Sequence, residues 1–315
     1  MRADIRFTLL CLALMTGAQP CLAYETDQFS NRLEPIKDAT QLLDGRVNQS
    51  IEKVISKWKG PRDDWKFITA IYHDIGGHHW VDKIERWAMN SPEIEQLQSS
   101  RRASIYQGHP FWATRVAGIF GVDPTIKING QLIGSDKMGH FLSQGRKFYG
   151  RYLKSELESQ AAEHSAYTER AIFGQMTTGV YSNADLVANY EGFLFYRSLF
   201  ENEVIPGKKA ILTWQENNWI MNRSFTWADH VNEYWDEALN INHYDSRLYP
   251  YMKERLLTFC PDFYSAPEQY TIQDEERLKT RYAHLQLRDT SDLRLDRLCP
   301  GIPTNPLKAA AGLSN

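Results

Sequence analysis

The sequence predicts a mainly α-helical fold, a single helical domain carrying one small β-hairpin. Three observations predict it. Apolar residues recur at three- and four-residue spacing along most of the chain, which builds one buried face on a helix. Helix start and stop signals bracket several of those runs. One Asn-Gly pair, Asn129-Gly130, lies between Ile126-Lys127-Ile128 and Gln131-Leu132-Ile133, the preferred sequence for a two-residue hairpin turn.

The chain opens with Arg2 and Arg6, an apolar run from Phe7 to Ala18, and Cys21-Leu22-Ala23. That is the layout of a secretory signal peptide cleaved after Ala23, with an apolar run too short to span a bilayer. An uncleaved anchor is the alternative. Leu10 and Pro20 stand before Cys11 and Cys21, where a lipid-attachment signal needs a small residue. The expected organisation is therefore a signal peptide (1–23), a helical domain (24–299) and a loose C-terminal tail (300–315). The expected location is exported, periplasmic or extracellular. No later apolar run is long enough to cross a membrane, so no transmembrane segment is expected in the mature chain.

Leu43, Val47, Ile51, Val54, Ile55 and Trp58 form one helical stripe stopped by Gly60-Pro61. Helices are expected from Trp65 to Asp74, broken by Gly76-Gly77, and from His78 to Met89. Ser91-Pro92-Glu93 reads as a further helix start, with Ser as cap and Pro at the first position. Asp136 to Leu153 and Asn183 to Phe200 follow the hairpin. Thr226 to Leu239 and Arg247 to Phe259 complete the set.

Composition narrows the function. With 36 Lys+Arg against 39 Asp+Glu the net charge is −3, and the chain shows no basic stripe of the kind nucleic acid requires. A nucleic-acid partner is not expected; an envelope component or a small-molecule substrate is. Two of the four cysteines lie in the leader. The remaining Cys260 and Cys299 are expected to form a disulfide in an oxidising compartment.

The chemistry concentrates in two helices. Asp136 and His140 lie four apart on the first, and Asp185 and Asn189 four apart on the second. Residues so spaced lie one turn up the same face. On the first helix Met138, Phe141, Leu142, Gly145, Phe148, Tyr149, Tyr152 and Leu153 make the apolar face. Gly139, Ser143 and Gly150 keep the other face small enough for another backbone to approach. On the second, Asp185 and Asn189 lie along the apolar side, with Glu191, Arg197 and Ser198 opposite. A carboxylate in that position needs a partner, and the face around His140 is the natural one. Two readings follow. Either these groups stitch two helices together, or His140 is a general base or metal ligand oriented by Asp136 or Asp185, with Asn189 positioning substrate.

The Asp-Lys-x-x-His-Phe pattern of Asp136, Lys137, His140 and Phe141 resembles a motif of uncharacterised bacterial periplasmic proteins and putative lipoproteins. That resemblance implies a bacterial envelope protein and carries no activity across. The chain departs from it in lacking the lipid-attachment cysteine. Separately, His73-Asp74 resembles the His-Asp step of the metal-dependent HD phosphohydrolases, whose earlier His has no counterpart unless His109 supplies it. A looser divalent-metal site from His73, Asp74 and His78 is the wider form of that expectation. A capped turn with two wet histidines is its structural counterpart. Asn48 and Asn222 stand in glycosylation sequons that matter only in a eukaryotic source. No nucleophile elbow, P-loop, dinucleotide fingerprint or zincin motif occurs. The sequence thus points to an exported helical hydrolase of the cell envelope, of metal-dependent or His/Asp general-base type. The alternative is a non-catalytic envelope protein whose polar helix seam is structural.

Overall fold

Short two-stranded sheets pin the ends of a helical assembly in the computed structural model, which describes residues 25–77, 81–114, 122–170, 175–176 and 178–299. The chain begins with β1 (Glu25–Thr26), then α1 (Thr40–Lys57), α2 (Asp64–Ile75), α3 (Lys83–Asn90) and α4 (Phe111–Thr114). Strands β2 (Val122–Asp123), β3 (Thr125–Ile128) and β4 (Gln131–Gly134) lead into α5 (Lys137–Gly139), a π-helical turn (His140–Gln144) and α6 (Gly145–Ser155). Next come α7 (Glu158–Thr168), β5 (Val180–Tyr181) and α8 (Asn183–Ser198), then β6 (Leu212–Gln215), β7 (Asn218–Met221) and β8 (His243–Tyr244). Helices α9 (Tyr249–Leu257), α10 (Cys260–Ser265), α11 (Glu275–Tyr282) and α12 (Leu295–Leu298) close the described chain.

Mainly α is the right class, but the expected single hairpin is one of four two-stranded sheets among the described residues. β3 and β4 pair antiparallel with Ile126 opposite Ile133, turning through Asn129 and Gly130 at positive φ, as a type I′ turn demands. β6 and β7 make a second hairpin through Glu216-Asn217, both also at positive φ. β1 pairs parallel with β2, and β5 antiparallel with β8. These last two pairs are two residues long, below what periodicity can register.

Helix α8 is the axis. Every residue but Arg197 is buried, so it has no solvent face at all. Its apolar residues join those of α1, α2, α5 and α6, together with Trp227 and Trp235, in the larger core. A second core gathers Phe29, Ile105, Tyr106, α9 and α10, and contains Cys260 and Cys299. Those two cysteines are disulfide-bonded, Cα to Cα 5.5 Å.

Close approach of α8 to the π-turn depends on two glycines. A Cβ on Gly145 would lie 2.6 Å from Gly192 Cα, and one on Gly192 would fall inside the Phe141 carbonyl oxygen. Tyr196 Oη donates to the Leu142 carbonyl at 2.9 Å. The backbones therefore meet at Gly145 and Gly192, on the apolar side. The face of Gly139, Ser143 and Gly150 receives side chains instead: the Glu85 carboxylate, Asp82 and the Trp65 ring.

Other elements differ from expectation for local reasons. Ser91-Pro92-Glu93 makes only a turn, because Leu97 just beyond it is drawn into a bridge with Thr125 of β3. The helix expected from His78 begins at Lys83, where Glu85 reaches back to the Asp82 amide at 3.2 Å; residues 78–80 lie outside the described residues. Thr226 does accept from Ala228 N, but the segment to Leu239 holds only two 3₁₀ turns, Trp227–Asp229 and Glu233–Trp235. Asn232 caps the second turn and so interrupts a longer helix. Leu153 is 50% exposed rather than buried. Gly145, Phe148 and Tyr149 keep the expected buried face, and Leu153 stands in the last turn of α6, where the core no longer covers it.

Gly192→Ala should destabilise the fold by about 1–3 kcal/mol or more, since the new methyl meets a carbonyl rather than a flexible side chain. Thermal or urea unfolding measures it. A loss within 0.5 kcal/mol would remove the close-approach argument.

Candidate functional site

Lys137 is the second residue of the motif at Asp136, and its side chain is 1% exposed. Its Nζ lies 2.8 Å from Asp136 Oδ2, 2.7 Å from Asp185 Oδ1 and 2.8 Å from Glu237 Oε1. Burial alone would lower the pKa of such an ammonium, but the three carboxylates outweigh it and hold it well above the usual range. Glu237 is anchored in turn: Thr26 of β1 donates to Oε2 (2.8 Å) and Ser182 Oγ to Oε1 (2.9 Å). Ser182 also caps α8 by accepting from the Asp185 amide at 3.1 Å. Strand β1, the β5–α8 junction and the Trp235 turn thus converge on one cation.

His140 sits at the edge of this cluster. Its Nε2 is 3.2 Å from Asp185 Oδ2, and its Nδ1 is 3.0 Å from Asn189 Oδ1. Asn189 is oriented by its own donation from Nδ2 to Ser165 Oγ, 3.0 Å. With the amide so placed, the ring donates from Nδ1, and Nε2 faces the Asp185 carboxylate. The four site residues expected from sequence are therefore brought together, and the partner that Asp185 required is both His140 and Lys137.

Charge in this region is unbalanced. Burial raises Asp185, yet His140 and Lys137 outweigh burial and hold its carboxyl below the ordinary range. Asp136 is pushed up to about 6 by burial, with Lys137 opposing and Asp185 adding. Burial pushes Asp123 up to about 8, with Asp136 adding, and Asp82 up to about 7 despite the Ser143 hydroxyl. Glu85 and Glu169 lie well above the usual carboxylate range, chiefly through burial. Asp123 Oδ2 and Asp136 Oδ1 are buried without a hydrogen bond. Carboxyl groups here outnumber the cations available to them.

Sequence reasoning missed Lys137 as a core residue, and Glu237, Glu85 and Glu169 altogether. It also placed Glu191 on the outer side of its helix. Glu191 is fully buried and accepts from Tyr282 Oη (2.6 Å) and Arg281 Nε (2.8 Å), with His230 Nδ1 at 3.1 Å. Burial raises its carboxyl, but His230 and Arg281 outweigh that and hold it below the ordinary range.

A small cavity opens beside His140, lined by Asn189, Gln144, Arg151, Ser165, Thr168, Glu169 and Phe148. Its volume is about 10 Å³, room for a single water. Among the described residues, one group of His, Cys, Asp and Glu has ligand atoms mutually within 4.8 Å: Asp136, His140 and Asp185. The His73 segment assembles nothing comparable. His73 is exposed, Asp74 is engaged by Lys53, and His78 lies outside the described residues. His109, the substitute first ligand, is buried in the second core with Nε2 at 3.3 Å from Met252 Sδ. The Asn48 and Asn222 amides both donate to backbone carbonyls. Comparison with known proteins finds no matching family model, no matching curated protein and no matching solved structure.

Lys137→Met should lower stability by roughly 3–5 kcal/mol, because it leaves buried carboxylates without their cation. Denaturant unfolding tests it, and a loss below 1 kcal/mol would mean that the cluster is neutral or wet. Wild-type stability should also fall as pH rises from about 5 to 9. Asp82 and Asp123 have folded pKa values raised to about 7 and about 8, so the stability present below their unfolded pKa is lost as each ionises. Asp185 and Glu191, held low, act oppositely: their contribution is lost as pH falls through their depressed folded values. A melting temperature rising steadily from pH 5 to pH 9 would contradict the raised values.

Proposed function

We propose that the protein is an exported, metal-dependent hydrolase of the cell envelope. Asp136, His140 and Asp185 would hold one divalent cation, and Asn189 would fix the histidine ring. The observation that carries this reading is the orientation of His140. Its Nδ1 is committed to the Asn189 carbonyl oxygen, and its Nε2 is turned toward Asp185 at 3.2 Å. A metal-binding histidine characteristically donates its other ring N–H to a carbonyl or carboxylate, which fixes the tautomer. The same geometry weakens the simpler general-base reading, because Nδ1 is held by Asn189 and Nε2 by Asp185.

One imidazole and two carboxylates suit zinc, manganese or iron. Asp136 Oδ1 lacks a hydrogen bond, while Asp136 Oδ2 and Asp185 Oδ1 are steadied by Lys137. A divalent ion would also offset the surplus of buried carboxyl groups. Such an ion polarises a scissile bond and makes a bound water acidic enough to attack near neutral pH. Three protein ligands would leave a fourth position for that water, and of the three His140 lines the water-sized cavity. The Cys260–Cys299 disulfide supports export, since such bonds persist in oxidising compartments.

A second reading draws on the size of the same cavity: with room for one water, the polar seam serves only to join α8 to the π-turn. Elemental analysis of protein purified without a metal-chelating tag separates the two. About one equivalent of zinc, manganese or iron is expected, lost in His140→Ala and Asp185→Asn, with hydrolysis of an ester, phosphoester or peptide panel lost in parallel. Absence of stoichiometric metal, with no calorimetric binding of zinc or manganese, would leave the structural reading. Strongly non-additive stability losses for the His140 and Asp185 substitutions would then be the expected pattern.

A further inference from the structure

The wall of the cavity beside His140 carries hydrogen-bond donors that the fold does not use. Arg151, on the outer part of α6, is half-buried there, and its guanidinium makes no hydrogen bond or ion pair among the described residues. The charged groups that feel it are Lys147 and His164, both basic. Gln144, at the end of the π-turn, lines the same wall, and its side-chain amide has no hydrogen bond among the described residues. Ser165 Oγ accepts from Asn189, which leaves its own proton to donate. The one carboxylate in the wall, Glu169, gives Oε1 to the Ser182 amide at 3.1 Å.

We infer that this wall is a binding subsite for an oxyanion, the phosphate or carboxylate group of the substrate, with Arg151 as the principal contact and Gln144 and Ser165 completing it. A guanidinium offers a planar fork of N–H donors that matches two oxygens of such a group. Three donor groups of this kind lack a natural purpose on a merely solvated face, and they come from three elements, the π-turn, α6 and α7, that line one cavity. The cavity holds only a water, so the anion docks at the mouth and presents its reacting bond toward His140. The inference rests on the proposed hydrolase reading only for that last placement; anion binding itself stands apart from the metal.

The test is calorimetric and thermal-shift titration of the full chain with inorganic phosphate and, separately, acetate, before and after chelator treatment. Phosphate, acetate or both should bind and raise the melting temperature. Arg151→Ala should weaken binding by about ten-fold or more, the loss expected for one charge-assisted contact. Arg151→Lys should fall between, and Gln144→Ala should weaken it by a smaller factor while keeping the fold. Phosphate binding without acetate binding assigns a phosphoester substrate, and the reverse a carboxylate. Equal affinity in wild type, Arg151→Ala and Gln144→Ala would overturn the subsite, as would no binding of either anion. Arg151-dependent anion binding in a protein that takes up no zinc or manganese would keep the subsite and remove the metal.

Discussion

One buried ammonium holds this fold together. Lys137 neutralises carboxylates from three separate stretches of chain, Asp136 beside it, Asp185 at the start of α8 and Glu237 after the Trp235 turn. Those contacts fix the hairpin exit, the N-terminus of the central helix and the aromatic loop against each other. Thr26 and Ser182 extend the hold to β1 and to the α8 cap. Such a centre is weak as a source of net stability, since three carboxylates and an ammonium must all leave water. It is strong as a constraint, because separating any of these segments leaves a buried charge unpaired.

The π-turn sets the geometry beside that constraint. It lies against α8 at backbone distance. Here Gly192 passes against the Phe141 carbonyl and Tyr196 takes up the Leu142 carbonyl. Close approach brings Asn189 within hydrogen-bond distance of His140 while Asp185 faces its other nitrogen. Single π-turns recur at functional sites for this reason: they re-aim side chains that a regular helix would space evenly.

The pairing of Asp136, His140, Asp185 and Asn189 was legible because a carboxylate on an apolar helix stripe cannot stay unpartnered, and i,i+4 spacing fixes where each points. The disulfide and the hairpin at Asn129-Gly130 were legible for equally local reasons. Lys137 was not, since a lysine reads as surface until the tertiary fold supplies several carboxylates at once. Glu237 lies about fifty residues past Asp185 in a segment whose 3₁₀ turns mimic helical spacing. The exposed Leu153 shows a different limit: it lies in the last turn of α6, and no residue type announces where the core stops covering a helix. Glu191 escaped because α8 has no outside, which its neighbours' composition does not state.

Two buried polar networks lie along α8 within two turns of each other, and their contrast decides which is the better functional candidate. Glu191 is closed to solvent and satisfied on every side by His230, Arg281 and Tyr282, which hold it ionised. Its charges balance, and nothing in its surroundings asks for a further ligand. Around His140 the balance fails. Asp136 and Asp123 each bury an oxygen without a partner, and several neighbouring carboxyls are held above their ordinary range. Both histidines line a cavity, His140 a water-sized one and His230 a wider one with Arg281, so the contrast lies in charge and not in access. A structural network tends toward closure, as at Glu191. A centre that retains unspent negative charge next to an opening is poised for a cation, and that difference, more than the presence of a histidine and two aspartates, points to His140.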